Sequence, residues 1–549
     1  MHNRTAHLIL ALVLCVSLLC PVFSIAEAED TVDYLEPYDE PITITWSVPT
    51  SAVQQFFNGD TYEDNAWSRL IKDRLNINIE VAFSADNSTD IYRNKCNTVI
   101  ATGDLPDIIK WPTITQYRQA QEEGLLADLE DVWEKYASPE LKAYREQYPD
   151  SFNAVSVDGR LFGFPYMEDN FHNAAFLWIR DDWLKNLNAE PPKTIDEMVE
   201  LARRFTFEDP DGNGKDDTYG LGLQGLVATN NVGTLEGLAG AFGAPGHNDT
   251  GVFYRDKEGK MTFGWIQPGM KKCLEVVRDM YKEGLIDPEF TALNTSTMET
   301  QVTNGTIGMM YHMNWGTWHP FNYSYQADGV ITRPYPIPLA EGYEPLMGIN
   351  SNEIGDFYTC VSANCEHPEA LIKILNLYEE VVMRGSADTF DTYWANEQYR
   401  LSPAYIGIPT ELFAPVIHAA LEAGTGEGLT GTAAEYYKYV TGFEDGSMAD
   451  NTNAYGTWGQ MFIDGYGGSM KIALDYKDKG WLVQNVLASE MPDIWLQNSS
   501  VLADMIETTF VDIIVGNKDL DYFDEFVNNW LAAGGQETLD WLDAKYPAK

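Results

Sequence analysis

The stretch ATGDLPDIIKW, residues 101–111, decides the fold. It opens as the end of a helical run (IYRNKCNTVIATG, 91–103), stops at Gly103, turns through Pro106, and resumes as a short apolar strand that ends at Trp111. Upstream, ITITW (42–46) reads as a strand, AWSRLIKDRLN (66–76) as a helix, and INIEVAF (77–83) as a strand again. Strands alternating with helices predict an α/β chain with parallel sheets covered by helices. In such sheets ligands sit beyond the carboxyl ends of the strands, so residues just after strands are the candidates for binding.

Further helices are predicted over SPELKAYREQY (138–148), TIDEMVELARRF (194–205), GMKKCLEVVRDMYKEG (269–284) and HPEALIKILNLYEEVV (367–382). The chain closes helically through LADMIETTFVDIIVG (502–516) and YFDEFVNNWLAAGG (522–535). At 549 residues it is too long for one core, and with no repeats or Pro/Ser linker its lobes must be joined by short crossings.

Asp and Glu outnumber Lys and Arg by 83 to 36, a net charge of -47. That charge repels phosphate backbones and anionic lipid, which excludes nucleic acid as a partner. Arg4, the apolar run Leu8–Cys20 and the small-residue site Ala26-Glu27-Ala28 read as a signal peptide, residues 1–28. Cys15 and Cys20 each follow Leu, a poor context for a lipid anchor, so a secreted, extracellular or cell-surface monomer is expected. Beyond the signal, Cys360 and Cys365 could close a small disulfide loop, and Cys96 and Cys273 read as buried helix residues.

The segment DPDGNGKDDTYG, 209–220, has the oxygen-donor spacing of a calcium loop: Asp209, Asp211 and Asn213 side chains, the Lys215 carbonyl and Asp217. Its twelfth position is Gly220 instead of a bidentate Glu. It reads either as a structural calcium site or as an Asx-rich turn.

ATGDLPDIIKW followed by EEGLLADLEDV (122–132) resembles the extracellular solute-binding proteins of bacterial ABC importers, the sugar-binding family. VDGRLFGFPY (157–166), LWIRDDWLKNLNAEPPKTIDEMVELARRF (177–205), VTNGTIGMMYHMNW (302–315) and DIIVGNKDLDYFDEFVNNW (512–530) follow in the family's order. The long branch with a DPDGNGK loop is similar to alginate-oligosaccharide-binding proteins, which implies a structural calcium ion that pins one lobe. The resemblance implies a two-lobed periplasmic-binding-protein-like fold of type II, or cluster D, closing about a hinge. Family order puts one lobe over 41–172 plus 336–400 and the other over 175–335 plus 401–549.

The implied function is capture of an oligosaccharide for the permease subunits of an ABC importer, without catalysis. The implied ligand faces are Trp111 and Trp315, from opposite lobes, with Asn314, Trp318, Tyr166 and either Glu168 or Asp169. Trp458 matches the family's late capping aromatic or is a core residue, Ser47 follows the first strand at the cleft edge, and Asn350 and Asn352 are hydroxyl binders or turn residues. Trp67 reads as helix core. The rival classes are a peptide or polyamine binder on this fold, which the acidic charge would suit, and a secreted glycosidase, although GxSxG, HExxH and P-loop motifs are missing from the sequence.

Overall fold

The computed structural model describes residues 33–547 except 51–53, 55, 88–89, 166, 168–173, 229–231, 248–250, 350–356, 395–397, 408–409, 463–466 and 487–491. The signal peptide and Tyr166, Glu168, Asp169, Asn350 and Asn352 lie outside the described residues.

The first sheet comprises β1 (Ile42–Thr50), β2 (Ile77–Asp86), β3 (Ile108–Trp111), β6 (Phe164–Pro165) and β14 (Tyr358–Val361). Its order is β2-β1-β3-β14-β6, with β1 parallel to β2 and β3, and β14 antiparallel to β3 and β6. The helices joining the parallel strands are Ala66–Leu75 and Asp90–Thr102, as the alternation predicts. The first begins at an Asn65–Ser68 capping box and stops at Asn76, whose left-handed backbone suits Asn. It buries Trp67, Ile71 and Leu75, with Trp67 stacked on Tyr378 at 5.0 Å. A hairpin of β4 (Ser156–Val157) and β5 (Arg160–Leu161) leads into β6.

The second sheet has the order β12-β7-β11-β8, from β7 (Ala175–Arg180), β8 (Tyr219–Gly222), β11 (Ile307–Met313) and β12 (Thr332–Tyr335). Every residue of β11, IGMMYHM, is buried, as a central strand covered on both faces must be. Helix Ile195–Phe207 starts at a Thr194–Glu197 capping box and lays Met198, Leu201, Ala202 and Phe205 on this sheet. Gly308 permits that approach, because a Cβ there would lie 2.3 Å from Phe205 and 2.7 Å from Trp183. The pair β9 (Phe253–Arg255) and β10 (Met261–Phe263) packs with the closing helices, where Phe263 stacks on Trp530 at 4.7 Å. Helix Asp493–Val515, at 23 residues, is long, yet no described helix is long and apolar enough to cross a membrane.

The crossing points need correction. Residues 336–349, expected in the first lobe, end in β13 (Met347–Ile349), which pairs in parallel with β15 (Leu482–Gln484). Leu346 N–H also donates to the Gly240 carbonyl at 2.9 Å, so the stretch stays with the second lobe and the first sheet is rejoined only at β14. In the other direction, residues around Ser402, assigned to the second lobe, pack on β3 of the first. Family order set the expected bounds, and pairing partners 135 residues apart are not visible in local pattern.

Candidate functional site

At the carboxyl end of the first sheet, Trp111 is followed by Pro112 and Thr113, and the Thr113 hydroxyl caps helix Ile114–Glu122 by accepting from Gln116 N–H at 3.3 Å. Trp111 is 0% exposed, opposite Tyr358 in the β3–β14 register, and Tyr358 in turn stacks on Tyr117 at 5.5 Å. Trp111 therefore presents no open face, contrary to the sequence expectation.

Ser47 is likewise enclosed. Its hydroxyl lies 2.8 Å from the Tyr92 hydroxyl and accepts from Lys110 N–H at 3.1 Å, while the Tyr92 hydroxyl donates to the Lys110 carbonyl at 2.8 Å. Its hydrogen bonds are spent inside the lobe, so it does not line a cleft edge. Burial pushes the Tyr92 phenol well above its ordinary range.

Lys110 was missed by sequence reading. It is buried, its ammonium donates to the Ser402 carbonyl at 2.9 Å, and it sits over the rings of Trp46 (4.9 Å) and Tyr405 (4.3 Å). The signal was available: a lysine inside IIKW, an otherwise apolar strand, needs partners.

The second sheet ends differently. After β11 the chain turns through Asn314, Trp315 and Gly316, and the turn is held by Trp318 N–H to the Trp315 carbonyl at 2.9 Å. Gly316 lets this turn sit on Trp178, whose ring would be 2.6 Å from a Cβ. Trp315 is half-buried, with its ring 4.3 Å from His312, edge to face, and 6.0 Å from His319. His312 Nε2 donates to the His319 carbonyl at 2.7 Å, and His319 Nε2 lies 2.7 Å from Glu299 Oε1. The two histidines flank the tryptophan ring and Glu299 holds one of them, and sequence reading did not single the three out as a group. Trp318, half-buried, lies on Gly456, where a Cβ would be 2.5 Å from the indole.

Asn314 is 0% exposed, and among the described residues neither its amide oxygen nor its amide nitrogen has a hydrogen-bond partner. Only its carbonyl is used, by Ser469 Oγ at 2.6 Å. An unpartnered buried amide costs about 1–3 kcal/mol, a cost that a ligand hydroxyl can relieve.

Trp458 takes the core alternative. It is 2% exposed, its indole N–H donates to Glu444, and its ring packs against Phe443 at 4.8 Å and under the Arg333 guanidinium at 5.7 Å. Helix Thr452–Met461 buries it among the second lobe's helices, so it caps nothing.

The loop after helix Ile195–Phe207 is exposed and closed by its own donors. Asn213 Nδ2 donates to Asp211 at 2.6 Å and to Asp217 at 3.1 Å, Gly214 N–H reaches Asp209 at 3.1 Å, and Lys215 N–H reaches the Asn213 side-chain oxygen at 2.8 Å. Asp209, Gly212 and Gly214 have left-handed backbone, which folds the loop inward. Among the described residues no group of three Asp, Glu, His or Cys side chains is gathered closely enough to hold a metal ion. The donor set is still all oxygen and carries three carboxylates within nine residues, which is the chemistry a hard cation takes.

Cys360 and Cys365 are free thiols, as are Cys96 and Cys273. Cys360 points at Gly163, 2.7 Å from where a Cβ would stand, whereas Cys365 neighbours Asp107 and burial pushes its thiol up to about 12.

A family model for bacterial extracellular solute-binding proteins matches residues 58–397. The chain is 30% identical over 237 residues to lipoprotein LipO of Bacillus subtilis, covering 42% of this chain and 43% of that one. It is 29% identical over 231 residues to the fructooligosaccharide ABC transporter substrate-binding protein FusA of Streptococcus pneumoniae serotype 4, covering 40% and 42%. The match thus spans about two fifths of the length of these curated relatives.

Among solved structures, an EF-hand mutant of the S. pneumoniae FusA with fructo-nystose superposes with a TM-score of 0.61 at 17% identity, covering 92% of this chain and 98% of that one. The alginate-binding protein AlgQ2, solved without calcium ion, gives 0.59 at 15% identity, covering 94% and 99%. Both share the two-lobed fold.

Proposed function

Because this chain belongs to the bacterial extracellular solute-binding protein family, we propose that it captures an oligosaccharide outside the membrane and hands it to the permease subunits of an ABC importer without altering it. The observation that carries this reading is the end of β11. Trp315 offers a ring held by His312 and His319, and Asn314 holds a buried amide with no described partner beside it. Sugars combine C–H patches that stack on aromatic faces with hydroxyls that need polar partners, and this pair supplies both. Trp318 extends the aromatic surface by one turn. A ligand held there and touching the first lobe would favour a closed arrangement by its differential contacts. Tyr166 and Glu168 or Asp169 remain proposed contacts on the connection between β6 and β7.

The name of FusA, a fructooligosaccharide-binding relative, supports an oligosaccharide over a peptide. The acidic charge favours a second reading, a polyamine ligand, which competes for the same cleft.

A structural calcium ion at 209–217 belongs to the same proposal. Asp209, Asp211, Asn213 and Asp217 would hold it by side-chain oxygens and Lys215 by its carbonyl, with the Asn213 amide turned over. The ion would supply the charge that lets three carboxylates crowd together. Residues 1–28 are proposed to direct export of a monomer that works outside the membrane.

A thermal-shift screen of oligosaccharides, each hit followed by calorimetry and a reducing-end assay, tests the reading. The expected result is a raised melting temperature with the sugar intact. Release of reducing ends would make the protein a glycosidase, and a shift with spermidine alone would make it a polyamine binder.

A further inference from the structure

A cleft that closes on a sugar needs an apolar wall in each lobe, and in the first lobe Trp111 is not that wall, because its indole is fully buried. Large apolar side chains left exposed together at one place mark binding surfaces. Phe56 and Phe57 after β1 and Ile91 after β2 are exposed, as are Leu226 after β8 and Tyr323 in helix Phe321–Asp328 after β11. Because β1 runs parallel to β2 and β8 parallel to β11, the first three leave one end of the first sheet and the other two the matching end of the second. These are the carboxyl ends, where ligands of such sheets sit.

The two phenylalanines are the aromatic part of this surface in the first lobe, and a fixed loop presents them. β1 ends at Thr50, and the chain comes back to the same end of the sheet at Asn65, the cap of helix Ala66–Leu75. Between them the tip is a turn in which Asp60 N–H donates to the Phe57 carbonyl at 2.9 Å. Its central residues, Asn58 (φ 55) and Gly59 (φ 83), are both left-handed, the Asn-Gly pairing that a tight turn of this hand favours.

Arg69, in the first turn of the helix, reaches back to Asp60 and Asp64, each at 2.7 Å. The Asn65 amide donates to the carbonyls of Thr61 at 3.1 Å and Tyr62 at 3.2 Å, and Phe56 packs edge to face on Tyr62 at 5.0 Å. With the loop held this way, the Phe56 and Phe57 side chains stay 43% and 41% exposed. Phenylalanine has no donor or acceptor, so what it offers a ligand is a ring for C–H patches.

On the sugar-binding reading above, we infer that Phe56 and Phe57 are the first lobe's wall of the site and stack on the C–H face of the bound oligosaccharide. The lobes then divide the recognition. Asn314 and Trp315 at the end of β11 meet hydroxyls and one sugar face, while the loop after β1 meets apolar area alone.

Calorimetry on the full chain with short fructo-, malto-, xylo- and galacto-oligosaccharides tests this, comparing the parent with Phe56→Ala, Phe57→Ala, Phe57→Trp and Phe207→Ala. Phe207 is the control, an exposed ring where helix Ile195–Phe207 runs out toward the start of β8, at the other end of the second sheet. Each of the first two variants should bind the parent's best sugar about threefold to tenfold more weakly, the range expected for one stacked ring. Phe57→Trp and Phe207→Ala should stay within about twofold of the parent. All four should melt within about 2 °C of the parent, because exposed rings contribute little to folding. Amides of residues 56–62 should also exchange more slowly when the sugar is bound.

A parent that binds a sugar while Phe56→Ala and Phe57→Ala both bind it within about twofold overturns the inference and leaves sugar binding standing. Unchanged affinity with impaired uptake in cells overturns it too, and makes the loop a contact for the permease. A parent that binds none of these sugars overturns the sugar-binding reading, and the inference falls with it.

Discussion

Trp111 and Trp315 hold the same position by pattern, each at the carboxyl end of a buried strand, yet one is enclosed and the other half-open. The turn after each strand also differs. Pro112 and the Thr113 cap start a helix at once after Trp111, whose indole is fully buried. Asn314 and Gly316 instead make a turn before the next helix, Phe321–Asp328, and leave the Trp315 ring between two histidines. The first lobe encloses the aromatic at its strand end, while the second leaves one half-exposed beside a fully buried amide. Position at a strand end nominates a residue for binding, and its packing decides whether it is available.

The largest effect that separates the two is on stability. Trp111→Ala removes a fully buried indole and should cost about 3–5 kcal/mol of folding free energy, read as a lowered denaturation midpoint. If that variant instead keeps its stability and loses only ligand affinity, Trp111 is a cleft residue and the contrast collapses. Trp315→Ala should do the reverse. An aromatic anchor is worth about 2 kcal/mol, about thirtyfold in Kd, with a smaller change in melting temperature. Calorimetry on a sugar from the thermal screen measures it, and binding within about twofold of the parent would move the site elsewhere.

How far the sequence carried can be judged on the same residues. The parallel start of the first sheet, the capped helices and the burial of Trp67 follow from period, caps and turn residues, all of which are local. The position of Asn314 and Trp315 at the end of β11 was legible because the pattern identifies that strand. The enclosure of Ser47 and Trp458 was not, since it depends on Tyr92 and Glu444, brought there by the fold. The histidine pair that orients Trp315 is visible in sequence as HMNWGTWH, but its geometry depends on Glu299 from a neighbouring helix.

A third variant probes where the two lobes meet. Helix Gly431–Glu444, packed against the second lobe's helices, touches the first lobe at Gly431, whose N–H donates to the Gly385 carbonyl at 2.6 Å. Gly431 has φ +52 and a Cβ there would lie 1.9 Å from the Met383 carbonyl oxygen. Gly431→Ala should therefore cost about 1–3 kcal/mol in stability and shift affinity without touching a ligand contact, because it displaces one lobe against the other. Unchanged stability and affinity would show that this contact does not couple the lobes.

The smallest expected effect concerns the 209–217 loop, which belongs to the second lobe alone. It joins helix Ile195–Phe207 to β8, and β8 pairs with β11, the strand that leads into Trp315. An ion bound there stabilises by mass action, about 1.4 kcal/mol when free calcium is about ten times its Kd. In a chain this long that corresponds to a melting shift of only about 2 °C. Excess EDTA should remove that shift, and added calcium should restore it where magnesium does not, since magnesium demands stricter octahedral geometry. Hydrogen exchange localises the change: amides of β8 should exchange faster after chelation, while those of β1 to β3 keep their protection. Equal loss of protection in both sheets would mean that the ion acts elsewhere, and no loss in either would leave Asp209, Asp211, Asn213 and Asp217 as a turn closed by its own hydrogen bonds.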